Sequence, residues 1–245
     1  MAIASRYVPG GGCEGWGLLR RINSKGAIFI AHLLLPSTRG IKDPMSGFFA
    51  FKRQAVAGAD LKPAGYKILL EIILLGKFHH VAEVPFMFVT RSRGKSKLNA
   101  RQQIEYLKHI FSLMQRTGEL LRFIKFCLVG GSGVIVNLGI FWLLTRLGGL
   151  GQKDFLALAI AIEASIISNF TLNEVFTFHD RHSTGGFIPR LLKFNFICLA
   201  GAAIQAGVYA LLHHGLGVYD LLSNLIGIIA ATLWNYGLNS WWTWR

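Results

Sequence analysis

The chain has 245 residues and a net charge of +14, from 26 Lys and Arg against 12 Asp and Glu. Only 16% of its residues are charged and 52% are hydrophobic. A soluble domain carries about 25% charged residues and a disordered chain has low hydrophobicity, so both classes are excluded. Cys13, Cys127 and Cys198 are too few and too widely spaced for a disulfide scaffold or a zinc-type pair.

The charge is uneven. Residues 1–121 hold 18 basic and 7 acidic side chains, a net of +11, and residues 122–245 hold 8 and 5, a net of +3. A basic domain joined to a membrane domain fits that split. In the front half, Gly10 to Gly12 with Gly15 predict a flexible, exposed loop. It is not a Walker loop, because no Gly-Lys-Ser/Thr follows. Residues 16–35 predict a helix, with Leu18, Leu19 and Ile22 beside Arg20, Arg21 and Lys25. That pattern suits a helix at a membrane surface and equally a core helix.

Asp43-Pro44-Met45-Ser46-Gly47-Phe48 predicts a turn: Asp can close an Asx-turn, Pro sets φ and Gly permits φ > 0. Residues 66–75 predict a short apolar helix containing Glu71, and residues 81–90 a strand whose Pro85 marks an edge or a bulge. The basic segment Arg91-Ser-Arg-Gly-Lys-Ser-Lys97 follows. It lacks the aromatic interleaving and the motifs of nucleic-acid binding, so no nucleic-acid partner is expected. An anionic lipid head is the better partner beside membrane helices; a solvated basic turn without function is the plainer reading. Residues 101–114 predict an amphipathic helix, with Ile104, Leu107, Phe111 and Met114 at helical spacing. It would dock the front half on the bilayer.

Four apolar stretches then follow, at about 123–144, 155–178, 194–212 and 221–242. Each approaches the ~20 residues that cross about 30 Å of hydrocarbon as a helix. One set of connections and ends carries Arg116, Arg122, Lys125, Arg181, Arg190, Lys193 and Arg245; the other carries Arg146 and Lys153, a count of 7 against 2. The basic side is expected to be cytoplasmic, which puts residues 1–121 and the C-terminus there.

This half repeats itself. Arg122-Phe-Ile-Lys-Phe126 returns as Arg190-Leu-Leu-Lys-Phe194, and Asn169-Phe-Thr-Leu-Asn173 to Phe178 returns as Asn235-Tyr-Gly-Leu-Asn239 to Trp244. Asn169, Asn173, Asn235 and Asn239 predict hydrogen bonds between helices, or contacts to a lipid headgroup or pyrophosphate. Glu163 lies near mid-helix, where a carboxylate costs roughly 2.5–3.5 kcal/mol to insert and usually faces the bundle interior; a protonated carboxyl and one paired within the bundle both fit. The pattern resembles the GtrA-like family of four-helix membrane proteins. That resemblance implies a membrane anchor and, in some members, translocation of a lipid-linked sugar.

Seven strings of the front half, in order, resemble family 2 glycosyltransferases of the dolichol-phosphate mannosyltransferase type. They are Ser5-Arg6-Tyr7, Gly10 to Trp16, Arg20-Arg21-x-x-Ser24, Asp43-Pro-x-Ser-Gly-Phe48, Gly65-Tyr-Lys-Ile-Leu-Leu-Glu71, Glu83-Val-Pro85 and Arg91-x-x-Gly-x-Ser-Lys97. The resemblance implies a partial GT-A (Rossmann-like) α/β domain over 1–115, followed by an all-α four-helix transmembrane domain over 116–245. It implies transfer of mannose or glucose from a nucleotide sugar to a polyprenyl or dolichyl phosphate. The lipid phosphate would itself be the nucleophile, so no catalytic protein base is implied. Arg6, Arg20 and Arg91 would hold the phosphates, Ser24 would add a hydroxyl, and Asp43, Ser46 and Gly47 would form an acceptor loop.

One departure is large. In that family the nucleotide-binding half and its Asp-x-Asp metal site lie upstream of Ser5-Arg6-Tyr7, and no Asp-x-Asp occurs here. Mg²⁺ or Mn²⁺ is expected for the complete enzyme, with no ligands visible in this chain. A truncated product, a separate polypeptide carrying the donor half, and a start assigned too far downstream all fit. The isolated chain would then be inactive, with the strands near Ser5 and Val81 lacking their central neighbours. The alternative is a membrane protein without enzyme activity that binds or translocates polyprenyl-phosphate sugars.

Overall fold

A computed structural model describes residues 1–62, 67–89, 100–148, 154–181 and 185–244. Contacts divide the chain into two compact units, Met1–Leu120 and Leu121–Arg245.

The first unit is α/β. Its elements run β1 (Ala2–Ser5), β2 (Gly12–Glu14), α1 (Leu18–Leu34), β3 (Phe49–Ala50), α2 (Ile68–Leu75), β4 (Ala82–Pro85), β5 (Met87–Val89) and α3 (Ala100–Arg116). One sheet has the order β3-β1-β4, antiparallel at β3 and parallel at β4, with Ala2 opposite Ala82 and Ser5 opposite Pro85. The other pairs β2 with β5 in parallel. The strands near Ser5 and Val81 are therefore direct neighbours in this sheet. The stretch 81–90 is not one strand. Phe86 passes the chain between sheets: its N–H donates to Ser5 and its carbonyl accepts from Gly12. Pro85, which has no N–H to give, ends the first segment.

The glycine segment is also more ordered than its composition implies. Gly10 takes φ +84° to turn the chain, Gly11 packs so closely on the Ser5 carbonyl that a Cβ would overlap it, and Gly12 already belongs to β2. Gly47, by contrast, does not use a positive φ. The turn at 43–46 closes through the backbone, Ser46 N–H to Asp43 C=O at 3.2 Å, leaving the Asp43 side chain free for another task.

α1 starts after extended Gly17 and ends where Pro36 disfavours helical φ/ψ at Leu35. Ile28, Ala31 and Leu33 are buried, whereas Leu18, Leu19 and Ile22 stay exposed. α3 has two apolar faces. Tyr106, Ile110, Leu113 and Met114 are buried, while Ile104, Leu107 and Phe111 form an exposed stripe. Met114 thus belongs to the packed face and not to the stripe. Gly118, at φ +77°, breaks the helix before the next one begins.

The second unit is all helix: α4 (Glu119–Arg146), α5 (Asp154–Leu172), α6 (Phe187–Ala210) and α7 (Asp220–Leu238). α5 and α7 each run on into a π-turn, Asn173–Thr177 and Asn239–Thr243, and α6 into Leu211–Gly215. All four are long and apolar enough to cross a membrane, and large apolar side chains such as Leu128, Ile135, Leu199 and Leu225 face outward. A soluble protein could not leave such surface open.

The internal repeat is structural. Phe126, Val129 and Gly133 are buried on α4, and Phe194, Ile197 and Gly201 are buried at the matching positions of α6. A Cβ on Gly133 would overlap the Asn169 amide, and one on Gly201 the Asn235 amide. Glycine therefore lets each asparagine reach the neighbouring backbone, the close approach that small residues permit in membrane helices. The wide turns then swing Phe178 and Trp244 inward, their N–H groups donating to Asn173 and Asn239 at 2.9 and 3.0 Å. The two rings stack on each other with centroids 4.4 Å apart. Phe126 on Tyr236 and Phe194 on Phe170, both at 5.6 Å, complete the box.

Candidate functional site

The first unit is centred on a buried ion pair. Arg6, just past β1, meets Asp43 with both arms of its fork, Nε to Oδ2 and Nη2 to Oδ1 each at 2.7 Å. The Arg6 N–H also donates to Oδ2 at 3.1 Å. Asp43 is fully buried, and its own N–H donates to Glu83 at 3.0 Å. Burial alone would weaken the guanidinium's hold on its proton, but the bonded Asp43 carboxylate outweighs it and raises the pKa. Ser46 is buried too, its hydroxyl donating to the Ala4 carbonyl at 2.6 Å. The 43–46 segment is thus pinned to β1 by side chains. Asp43 and Ser46 lie beneath the site, and exposed Gly47 does not line it.

Above this base is a cleft of about 430 Å³, lined by Arg6, Trp16, Arg20, Ser24, Ala27, Ile30, Met45, Lys67, Gln102, Tyr106 and Leu107 among others. Arg20 lies over the Trp16 ring at 4.2 Å and Arg6 over the same ring at 5.3 Å. Phe88 packs edge-on against Trp16 at 5.5 Å, so β5 fixes the indole that carries both guanidiniums. The Tyr7 hydroxyl donates to Ser24 Oγ at 2.8 Å, which leaves the serine proton free to point elsewhere. From α3, Tyr106 donates to the Ala27 carbonyl of α1 at 2.6 Å and lays its ring 3.5 Å from Lys67 Nζ.

Arg6, Arg20 and Ser24 are therefore brought together as the sequence suggested, though the fork of Arg6 is engaged by Asp43. Arg91 lies outside the described residues. Sequence reading missed Lys67, Trp16 and Tyr106. Lys67 was quoted within the string Gly65 to Glu71 but given no role, and nothing in spacing places Tyr106 over it from 39 residues away.

Among the membrane residues, Glu163 is exposed on α5, and Asn195 of α6 donates to both its oxygens at 3.0 Å, a pairing between helices. The repeat asparagines do not bond across helices among the described contacts. Asn173 donates to the Asn169 carbonyl of its own helix at 2.9 Å, and Asn239 accepts from Thr243 at 2.8 Å. The reason is the π-turn, which frees those groups locally. Glu174, passed over as one charge among five, is the polar centre of this end. It takes Arg190 at 2.5 Å and the Trp244 indole N–H at 2.6 Å. Lys125 over Phe176 and Lys193 over Trp242 again occupy repeated positions.

Residues 125–244 match the family described as GtrA/DPMS, transmembrane domain. The whole chain is 45% identical, over 244 residues, to a dolichol-phosphate mannosyltransferase of Pyrococcus furiosus, covering 68% of that protein. Dolichol-phosphate mannosyltransferases of Mycosarcoma maydis and Saccharomyces cerevisiae are 35% and 34% identical over 116 and 136 residues, 38% and 49% of their lengths. The archaeal match runs through both units, from the buried Arg6–Asp43 pair to the repeated aromatic box, and the chain belongs to the dolichol-phosphate mannosyltransferase family.

Proposed function

We propose that the cleft of the α/β unit holds the phosphate of a polyprenyl or dolichyl phosphate for transfer of mannose or glucose from a nucleotide sugar. The observation that carries this is the cleft's composition. Arg20 and Ser24 line it together with Ile30, Met45 and Leu107, the mixture a phosphate on an apolar chain requires. Guanidinium forks suit phosphate oxygens. The ionised phosphate is the nucleophile, so the protein's task is to place it and shed its water. We read the unit as part of a GT-A domain, with Arg91 as a further phosphate ligand and the exposed apolar faces of α1 and α3 resting in the headgroup region.

The sequence has no Asp-x-Asp, and among the described residues no three His, Cys, Asp or Glu converge. The donor set does not fit Mg²⁺ or Mn²⁺, and no step is routed through either. Sugar transfer by this chain alone is not expected.

Arg20→Ala is expected to weaken binding of farnesyl phosphate by this chain in micelles about ten-fold or more, with Arg20→Lys recovering part. In a complete homologous enzyme the matching change should abolish acceptor use and leave donor-nucleotide affinity nearly intact. Equal loss of nucleotide affinity would overturn the acceptor assignment.

The basic ends of the helices support a cytoplasmic α/β unit. Cysteines at Ser183 and Tyr219, in a background without the three native ones, should be labelled in intact cells by an impermeant maleimide only at 219. External labelling at 183 would reverse the orientation.

A further inference from the structure

Two cations line the cleft without a carboxylate partner among the described residues: Arg20, which rests on Trp16, and Lys67, which rests on Tyr106. Arg6 is different, because Asp43 neutralises it. Among the described residues the cleft therefore carries positive charge that no carboxylate balances, in a half-buried place, a costly arrangement for which an anion would compensate. Lys67 is held by geometry and not by an ion pair. It sits just before α2, and the Tyr106 ring, tied to α1 through Ala27, fixes the ammonium 3.5 Å from its centroid.

We propose that Lys67 is a specificity-determining cation of the acceptor site, giving its ammonium to the terminal phosphate of the lipid opposite Arg20. This deepens the acceptor reading above and rests on it. An ammonium differs from a guanidinium in one useful way: it can lose its charge. Burial lowers the Lys67 pKa from 10.5 to about 8. The groups facing it are Arg20, Arg6, Tyr106 and His109. Burial works against the Arg6 charge, but the bonded Asp43 carboxylate outweighs it and raises that pKa. Burial raises the Tyr106 phenol and keeps it neutral, and burial lowers His109, which stays an uncharged imidazole. Glu71, on the same helix, is held by Arg116. A phosphate monoester is already a dianion in this range, its second pKa being about 6.

The site should then lose one positive charge as pH rises through about 8. A bound phosphate favours the ammonium, so binding above that pH should draw a proton from solvent. A diester or a neutral prenol offers no dianion and should do neither.

The test is calorimetry of the full chain in micelles, with farnesyl phosphate at pH 7 and pH 9 in buffers of different ionisation enthalpy. Affinity should fall about five- to ten-fold from pH 7 to pH 9, with proton uptake on binding near pH 8.5. Lys67→Gln should bind about ten-fold more weakly at pH 7 and take up no proton. Should that variant misfold, Lys67→Arg decides: it should bind at pH 7 and lose both the pH dependence and the proton uptake. Inorganic phosphate run in parallel separates recognition of the headgroup from recognition of the lipid; comparable affinity for it would overturn the lipid assignment. If Arg20→Ala loses binding while Lys67→Gln or Lys67→Arg keeps the native affinity and proton uptake, Lys67 has no such role. If Arg20→Ala binds normally, the acceptor reading fails instead.

Discussion

Replacing Asp43 with alanine is expected to destabilise the α/β unit by about 3–5 kcal/mol, the usual result of stranding one member of a buried ion pair. The Arg6 side chain is only 11% exposed. Without the carboxylate its guanidinium would keep its charge and lose two 2.7 Å bonds, and among the described residues no other ion pair to it is seen. The backbone N–H of Arg6 would lose its acceptor too, loosening the exit from β1. Asp43→Asn should cost less, since an amide oxygen can still accept. The double change Arg6→Met with Asp43→Leu should recover much of the loss, because it removes both charges together. Hydrogen exchange of the full chain provides the measurement. Peptides covering β1 and the 43–46 turn should open about a hundred- to several-thousand-fold more often in Asp43→Ala, while α4 to α7 keep their protection. Unchanged exchange at β1 would show that the pair contributes no net stability.

That pair also shows where sequence reading stops. Arg6 and Asp43 were each singled out, but as groups facing a ligand, because their strings resemble those of a family with that chemistry. Their bond spans 37 positions, and pairing at that separation depends on strand order, which composition does not encode. The β3-β1-β4 order was equally hidden. A strand of four residues gives too few alternations to reveal its neighbours. Elements that follow from local chemistry were legible: a turn within 43–48, a helix within 16–35 and the presence of four apolar helices, although α4 and α6 begin earlier, at Glu119 and Phe187, than the stretches at about 123 and 194. Lys67 was not, since what distinguishes it is burial and an aromatic ring supplied from α3.

The membrane unit was the more readable half, and for a physical reason. Lipid forces every backbone group to be satisfied within a helix, so long apolar runs leave one structural answer. The duplicated strings then located the residues that matter, although their mechanism differed. The asparagines were read as bonds between helices or as contacts to a lipid headgroup or pyrophosphate. They serve as bulk fitted over Gly133 and Gly201, and as the origin of two π-turns. Glu163 was read as a carboxyl protonated or paired within the bundle; Asn195 of the neighbouring α6 supplies such a pairing at an exposed position.

Removal of one side chain close to the C-terminus is expected to unfasten this bundle. Trp244 is 1% exposed and stacks on Phe178 at 4.4 Å, on Phe170 at 5.7 Å and edge-on to Phe194 at 5.6 Å. It therefore joins the end of α7 to the ends of α5 and α6. Terminal residues normally fray; this one is held because the π-turn at Asn239–Thr243 aims it inward. Trp244→Ala should cost about 3–5 kcal/mol from the cavity and lost ring contacts. The indole N–H also supports Glu174 at 2.6 Å, so the carboxylate that anchors Arg190 would lose a donor. Trp244→Phe should keep the stacking and lose that bond alone, about 1–3 kcal/mol. Trp241, 48% exposed, is the control, and its replacement by alanine should change stability little. Unfolding of the purified chain in mixed micelles with increasing SDS, followed by helix content, would rank the variants. Trp244→Ala should lose its bundle at far lower SDS than Trp241→Ala, with Trp244→Phe between them. Equal midpoints for the two alanine variants would mean that the aromatic box is not what closes the repeat.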